Sequence, residues 1–281
     1  MKHAYLIIAH HEFAILQELV SALDDNRNAI FIHIDRKVRV IPELKTEKAE
    51  LHFVPDADRI DIRWGHFSQI ETEFVLFTLA HKYGPYSYYH VISGVTLPLK
   101  GQDEIHGLFA VGSDIQYFVP IGHVDSELEE KGNMINLGMR NFSKSLSAQI
   151  WRQQLIRIQR MLGIRVNSDR RFVKAANWVS ITQEAVDYLL EAKQKIFKKY
   201  RFTMCGDELF IPTELNHSNR NWTCMYSDEL LYQEMNGSNA RELTLQDFEA
   251  MVASQAIFAR KFSVKEDELV KMVLKKIKGC T

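Results

Sequence analysis

Apolar residues in the first half of the chain recur with two different periods. Polar or turn-forming residues bound several continuous apolar runs, a pattern typical of β-strands. The predicted strands are 5–9, 29–34, 51–54, 86–92 and 115–119. Helical spacing predicts helices over 13–23, after Ser68 and from about Asp103, and Ser68 to Glu71 matches the capping-box pattern. This alternation predicts an α/β protein with a central, mostly parallel sheet flanked by helices.

The pattern is weaker in the second half. A helix is predicted where apolar residues recur at 150, 155, 158, 161 and 162. Arginines at 152, 157 and 160 are interpreted as the charged solvent face of this helix. The further predicted elements are a strand over 172–181, a helix over 182–198 and a terminal helix over 266–278.

The chain contains no internal repeat, low-complexity segment or clear linker. We therefore predict a single domain over 1–281.

The composition is that of a soluble globular protein, with 46% hydrophobic and 25% charged residues and a net charge of -1. This balance excludes disorder and disfavours nucleic acid as a partner. The first apolar run is too short for a signal peptide, and no run approaches the ~20 residues of a membrane-spanning helix. Cys205, Cys224 and Cys280 include no CxxC pair, which predicts no disulfide framework, no zinc site and a reducing cytoplasm.

Common catalytic fingerprints are missing from the sequence. It has no GxGxxG after the first predicted strand, no GxxxxGK[ST], no HExxH and no GxSxG. Dinucleotide-binding, P-loop, zinc-protease and serine-hydrolase functions therefore lose their usual support, whereas nucleotide-sugar chemistry stays open. Ligands bind at the carboxyl ends of parallel strands. The candidate loops there are His10-His11, Asp35 to Lys37 and Ser93 to Lys100.

Three acidic or imidazole groups in or near these loops have alternative interpretations. Asp35 can accept a hydrogen bond from a ribose hydroxyl or a base N–H, and a turn cap is equally consistent with its position. Adjacent residues of a strand point to opposite faces, so His10 and His11 are not expected to bind one metal ion. Asp56-Ala57-Asp58 matches the DxD pattern of metal-dependent nucleotide-sugar enzymes, but a solvated turn is the favoured interpretation.

Two acids and two cations in the last third could perform chemistry. Asp207 and Glu208 precede Leu209 and Phe210, where burial would raise a carboxyl pKa toward that of a general base. On these residues alone, a helix start that the acids stabilise is the better interpretation. Arg241 and Lys261 could neutralise a diphosphate without a metal, although surface cations are the simpler local interpretation.

Together these segments resemble the core-2/I-branching enzymes. This family of inverting β-1,6-N-acetylglucosaminyltransferases also contains peptide xylosyltransferases. The resembling segments follow one another along the chain at 4–11, 32–35, 63–65 with Ser68, 93–100, 177–190, 207–208 and 258–262.

The resemblance implies a GT-A type fold, a UDP-sugar donor and no metal or other cofactor. It also implies that the part of the domain to about residue 120 binds the nucleotide, and that the remainder, from about 121 to 281, binds the acceptor and supplies the catalytic residues. It implies that Glu208 is the general base and that Arg241 and Lys261 bind the diphosphate. The residues implied around the nucleoside are His10, Asp35 and Trp64. Those implied for acceptor binding are Ser93, Gly94, Trp178 and Asp207, the last as a helix cap or an orienting group.

The function that follows is transfer of N-acetylglucosamine in β-1,6 linkage to a glycan or lipid-linked glycan. β-Xylosyl transfer is the nearest alternative, and a non-catalytic glycan- or nucleotide-binding protein is the alternative of another class. Thr96 stands where the family often has Asp, and Ala175-Ala176-Asn177 replaces a common Gly-Ser beginning. Both departures leave the donor and acceptor preference open.

The membrane anchor and abundant cysteines of the animal enzymes are missing. We therefore expect a bacterial, cytoplasmic form that builds a surface polysaccharide. The basic segment 266–278 suggests peripheral contact with the inner face of the membrane, although an ordinary terminal helix is the favoured interpretation.

Overall fold

The computed structural model of the protein describes residues 1–110, 114–169, 171–237 and 239–279. Its strands in these ranges are β1 (His3–Ala9), β2 (Asn28–Ile34), β3 (Glu50–Phe53), β4 (Tyr88–Ser93), β5 (Thr96–Pro98), β6 (Ile115–Pro120), β7 (Ala175–Thr182), β8 (Thr223–Tyr226), β9 (Leu231–Gln233), β10 (Met235–Asn236), β11 (Asn239–Ala240) and β12 (Phe258–Arg260). The helices in the same ranges are α1 (Phe13–Ala22), α2 (Ser68–His81), α3 (Gln102–Leu108), α4 (Asp125–Leu128), α5 (Leu146–Met161), α6 (Gln183–Glu191), α7 (Lys193–Tyr200), α8 (Phe210–Asn216), α9 (Phe248–Ala253) and α10 (Asp267–Ile277).

The main sheet has the strand order β3-β2-β1-β4-β7-β6-β8. Within the described ranges, every neighbouring pair is parallel except the two pairs that β7 forms with β4 and β6. The predicted α/β class, with a mostly parallel central sheet flanked by helices, is therefore confirmed. The carboxyl ends of β1, β2 and β4 consequently meet at one edge.

Helices cover both faces of this sheet because the central strands are apolar on both sides. In β1, Tyr5 and Ile7 pack with α1 on one face, and Ala4 and Leu6 pack with α2 on the other. This two-sided burial explains why continuous apolar runs predicted the strands.

A smaller sheet lies beside the carboxyl edge of the main one. In it, β12 pairs antiparallel with β5 and parallel with β9. β5 follows β4 closely in the chain. Its pairing with β12, which is distant in sequence, therefore places β12 and the adjacent Lys261 at the same edge. Here the fold joins residues that are far apart in sequence.

Two local predictions differ from the structure. The helix predicted over 182–198 is interrupted at Ala192, whose ψ of -1° departs from the helical value, so that α6 and α7 are separate. The predicted capping box at Ser68 is wrong. The Ser68 hydroxyl accepts a hydrogen bond from the backbone N–H of Arg63 at 2.9 Å and therefore closes the preceding turn instead.

Helix α5 turns a different side inward from the predicted one, although Arg157 and Arg160 are exposed as expected. Arg152 is buried at 8% exposure and donates from Nε to Oδ1 of Asn136 at 2.6 Å. Gln159 is also buried and bonds both backbone groups of Ile135. The interpretation of the arginines as a solvent face is therefore wrong for Arg152, because polar partners inside the protein bind this side of the helix.

Helix α10 packs its apolar side, which includes Leu269, Val270 and Val273, into the core. Among the described residues, no helix combines the length and apolar character that crossing a membrane requires. Cys205 and Cys224 are free thiols, and Cys280 lies outside the described residues.

Candidate active site

A cavity of about 510 Å³ opens at the carboxyl ends of β1, β2 and β4. The predicted site residues that line it are His10, Asp35, Trp64, Ser93, Gly94, Trp178 and Lys261. Within the described chain, Asp207, Glu208 and Arg241 are not among the lining residues. The fold thus brings most of the predicted donor and acceptor residues to one place, at the edge where parallel sheets bind ligands.

Gly94 forms part of the cavity wall because β1 and β4 approach closely there. A Cβ atom at position 94 would lie 2.6 Å from the Cβ of Ala9, which is too close for two carbon atoms. The Gly94 N–H donates to the Ile8 carbonyl at 2.9 Å. Beside it, the hydroxyls of Ser93 and Thr96 are hydrogen-bonded at 2.8 Å.

His10 and His11 both line the cavity, with ring centroids 4.1 Å apart. The prediction that they point to opposite faces is wrong because β1 ends at Ala9 and the two residues lie in a bend. Partial burial, followed by the neighbouring His11, lowers the pKa of His10. A neutral ring suits contact with an uncharged base or ribose.

Asp35 closes the turn after β2 and also lines the cavity. Its Oδ1 accepts from the backbone N–H of Lys37 at 2.9 Å, and its Oδ2 pairs with Lys37 Nζ at 2.8 Å. Lys37 also reaches Asp61 at 3.1 Å. The turn-cap and ligand-binding interpretations are therefore compatible for this carboxylate.

The DxD segment does not border the cavity in the described structure. Asp56 and Asp58 lie in a short 3-10 turn, and Asp56 pairs with Arg59. Arg59 in turn donates to the carbonyls of Ile34 and Asp35, each at 2.8 Å. Asp56 therefore helps to stabilise the loop after β2.

Arg260 and Lys261 are adjacent cations that both line the cavity. The Arg260 guanidinium lies 4.7 Å from the ring centroid of Trp178, and its Nε is buried without a hydrogen-bond partner. In the described parts of the chain, neither cation forms an ion pair with a carboxylate within 4.0 Å. Burial lowers the pKa of Arg260 to about 10, so its charge persists at neutral pH. Cations that are partly desolvated and unpaired form a favourable site for an anion.

Arg241 lies outside the cavity lining and is already paired. Its two terminal nitrogens contact Asp247 at 2.6 and 2.8 Å in a bidentate arrangement. The hydrogen bonds from Arg241 hold the pKa of Asp247 near 2. Arg241 is nevertheless close to the cavity in the fold, since Leu243 N–H donates to the Lys261 carbonyl at 2.8 Å.

Glu208 is placed between two lysines from remote segments. Its Oε2 lies 3.5 Å from Lys131 Nζ and 3.7 Å from Lys174 Nζ, and 29% of its side chain is exposed. Both lysines also bind Glu127 at 2.8 and 2.7 Å. Burial alone would raise the pKa of Glu127, but these two hydrogen bonds hold it near 2. Glu208 is thus the acid in this network with the longer contacts to the two lysines.

Asp207 connects Glu208 to the cavity wall. It is buried, and its Oδ2 accepts from Gln69 Nε2 at 2.8 Å, while Gln69 Oε1 accepts from the N–H of Gly65. Gln69 and Glu73, one turn apart on α2, both line the cavity. Burial, and then the charge of Glu208, raise the pKa of Asp207 to about 7.

A family comparison places the chain among known proteins. Residues 3–252 match the family described as Core-2/I-Branching enzyme. The chain belongs to this family. The recognition made from the ordered sequence segments is confirmed over nearly the whole chain.

Other comparisons add less. Among proteins with curated descriptions, none matches this chain. Among solved structures, mouse xyloside xylosyltransferase 1 in its apo form aligns with 92% of this chain and 96% of its own, at 10% sequence identity and a TM-score of 0.38.

Membership in the core-2/I-branching family identifies the protein as an enzyme, a UDP-sugar-dependent glycosyltransferase. Its substrates are accordingly a nucleotide-sugar donor and a glycan acceptor. The family assignment leaves the transferred sugar and the linkage open.

Sequence reasoning did not single out several cations of this core-2/I-branching site, among them Arg260, Lys131 and Lys174. The sequence could have indicated Arg260 as a site residue, because it forms a basic pair with Lys261 between aromatic residues. No sequence pattern marks Lys131 or Lys174, because only the fold brings their segments beside Glu208.

Proposed function

We propose that the protein transfers N-acetylglucosamine from UDP-N-acetylglucosamine to a glycan acceptor, with inversion and in β-1,6 linkage. In a single displacement, Glu208 removes the proton of the acceptor hydroxyl while the hydroxyl oxygen forms a bond to C1 of the sugar. The bond between C1 and the diphosphate oxygen breaks at the same time, and UDP leaves as an anion.

The observation that supports this proposal best is the pair of unpaired cations at the carboxyl edge of the sheet. Arg260 and Lys261 line the cavity without a carboxylate partner in the described structure. A diphosphate would supply the missing negative charge, and the cations would stabilise the charge that develops on UDP. Arg241, which the family resemblance also implies, would join them if its pair with Asp247 opened.

The other predicted residues fit around such a donor. His10, Asp35 and Trp64 would contact the nucleoside, since all three line the cavity. Trp64 stacks on Phe142 with centroids 6.0 Å apart, which holds an aromatic surface at the opening. Ser93, Gly94, Trp178 and the buried Asp207 would contact or orient the acceptor.

We further propose that the acceptor belongs to a surface glycan of a bacterium, and that transfer takes place in the cytoplasm. The polar, basic and aromatic side chains that line the cavity support a sugar nucleotide and a glycan as substrates. The net charge of -1 gives no support to nucleic acid as a partner.

A panel of UDP-sugars tests the donor. We expect hydrolysis or transfer with UDP-N-acetylglucosamine to exceed that with UDP-xylose by about tenfold in kcat/KM, because a pocket shaped for the N-acetyl group gains contacts that a pentose lacks. Initial rates of UDP release measure this, with Glu208→Gln as the blank. Faster turnover of UDP-xylose would replace the proposed donor by the xylosyl alternative.

The metal-independent mechanism predicts full activity in excess chelator. Protein cations supply the positive charge at the diphosphate, so removal of divalent ions is expected to leave kcat unchanged. Turnover is measured after dialysis against EDTA, with and without added manganese. Complete loss of activity that manganese restores would contradict this mechanism.

A further inference from the structure

Helix α5 presents an apolar face to solvent. We call this face the α5 face, defined by Leu146, Ile150, Trp151, Ile158, Met161 and Leu162. Met161 is 85% exposed, Leu146 71% and Trp151 59%. Helical spacing gathers these residues on the side opposite to Arg152, Ile156 and Gln159, which are buried.

This orientation results from specific internal contacts. The helix binds the protein through Arg152 and Gln159, whose hydrogen bonds to Asn136 and Ile135 hold its polar side inward. A rotation that buried the apolar side would leave the Asn136 and Ile135 groups without these partners. Contiguous exposed apolar surface of this kind marks an interaction site.

The chain segment that forms the α5 face carries basic residues and no acidic ones. Residues 141–168 contain no Asp or Glu. Arg157 lies within the face and Lys144 lies two residues before Leu146. Both are exposed and, in the described structure, form no ion pair. Arg160 and Arg165 lie at the border and pair with Glu130 and Glu129.

We propose that the α5 face docks on an anionic lipid surface, with its apolar side chains at the level of the headgroups. Exposed aliphatic residues, a tryptophan and an unpaired arginine on one helix face, with an unpaired lysine just before the helix, form a combination that binds such interfaces. A second copy of the chain is a poorer occupant, because a two-fold contact would bring together two copies of a segment that carries basic residues and no acidic ones. An anionic membrane complements both the apolar and the charged part of the face.

The α5 face is continuous with the cavity opening. Ser145, whose side chain accepts from the N–H of Ala148, caps the helix, and Arg140, Ser143 and Lys144 just before it line the cavity. Docking would therefore hold the opening at the headgroups, where a lipid-linked glycan presents its sugar. This last step rests on the proposed function, whereas the docking itself does not.

The terminal helix is a weaker candidate for the same partner. Its apolar residues Leu269, Val270 and Val273 are buried in the core, so α10 exposes mainly charged residues, Asp267 and Glu268 as well as lysines. Charge without exposed apolar surface gives weak, salt-sensitive attachment.

Flotation of the full chain with vesicles tests the docking. One set contains phosphatidylcholine alone, and the other contains phosphatidylcholine and phosphatidylglycerol in equal amounts. We expect binding to the anionic vesicles only, weakened by salt, and a partition coefficient about tenfold lower for Trp151→Ser combined with Met161→Ser. The matched control is Val40→Ser combined with Val264→Ser, which removes exposed apolar residues elsewhere and is expected to bind like the parent.

Several outcomes would overturn the docking proposal. The first is that the parent chain does not bind anionic vesicles. The second is that the α5 double variant binds them as well as the parent chain does. The third is that binding is lost in the variant that combines Lys271→Gln with Lys275→Gln. A dimer mass by light scattering that the α5 variant abolishes would assign the face to a second copy. UDP-sugar hydrolysis without vesicles is expected to be unchanged in the α5 variant, so that failure of docking and failure of the proposed function are observed separately.

Discussion

Replacement of Glu208 by glutamine is expected to lower kcat by about a thousandfold while the Kd for UDP stays unchanged. Glutamine keeps the size of the side chain but cannot accept the acceptor's proton. Glu208 is outside the lining of the cavity in the described structure, and the unpaired cations that would bind UDP are elsewhere, at Arg260 and Lys261. Loss of the base therefore affects the chemical step and leaves donor binding intact.

The measurement combines steady-state transfer rates with calorimetric titration of UDP. Glu127→Gln is the matched control, because Glu127 binds the same two lysines as Glu208 but has both of them as close partners. We expect this control to retain most of its activity. Equal loss in both variants would mean that the lysine network, and not a base, is what the reaction needs.

Asp207 is the competing base. Its raised pKa, about 7, lies where a general base operates, yet its carboxyl is buried and hydrogen-bonded to Gln69. Normal turnover in Glu208→Gln, together with inactivity in Asp207→Asn, would transfer the role to Asp207. The expected result is the reverse, since the Glu208 carboxylate is the accessible one.

The sequence predicted the parts of the fold that depend on local pattern. Central strands such as β1 and β2 are apolar on both faces, so each appears as a continuous run. The edge at which parallel strands end follows from their direction, and it contains His10, Asp35 and Ser93 as predicted. The division into a nucleotide-binding and a catalytic half stays a prediction.

Other features depend on long-range contacts and have no local signal. The orientation of α5 is decided by Asn136 and Ile135, which offer polar partners to Arg152 and Gln159. Apolar spacing alone assigned its inward side incorrectly. The lysines beside Glu208, and the Asp247 that binds Arg241, likewise come from segments whose proximity only the tertiary fold creates.

Replacement of Lys261 by methionine is expected to raise the Kd for UDP by about a hundredfold, because one charge-assisted contact to the diphosphate is lost in a partly desolvated site. Calorimetric titration measures this. Lys265→Met is the matched control, since Lys265 lies four residues further on, is 73% exposed and pairs with Glu242. The control is expected to bind UDP like the parent chain, and a similar loss in both variants would indicate general electrostatic attraction.

The same titration ranks the two arginines. Arg260→Met is expected to weaken UDP binding by about tenfold, because its guanidinium already lines the cavity without a carboxylate partner in the described structure. Arg241→Met is expected to have a smaller effect. Arg241 can bind the diphosphate only after its bidentate pair with Asp247 breaks, and the loss of that pair offsets the free energy gained at the diphosphate. A larger effect for Arg241 than for Arg260 would mean that UDP binding opens the Arg241–Asp247 pair and that Arg241 is the principal guanidinium at the diphosphate.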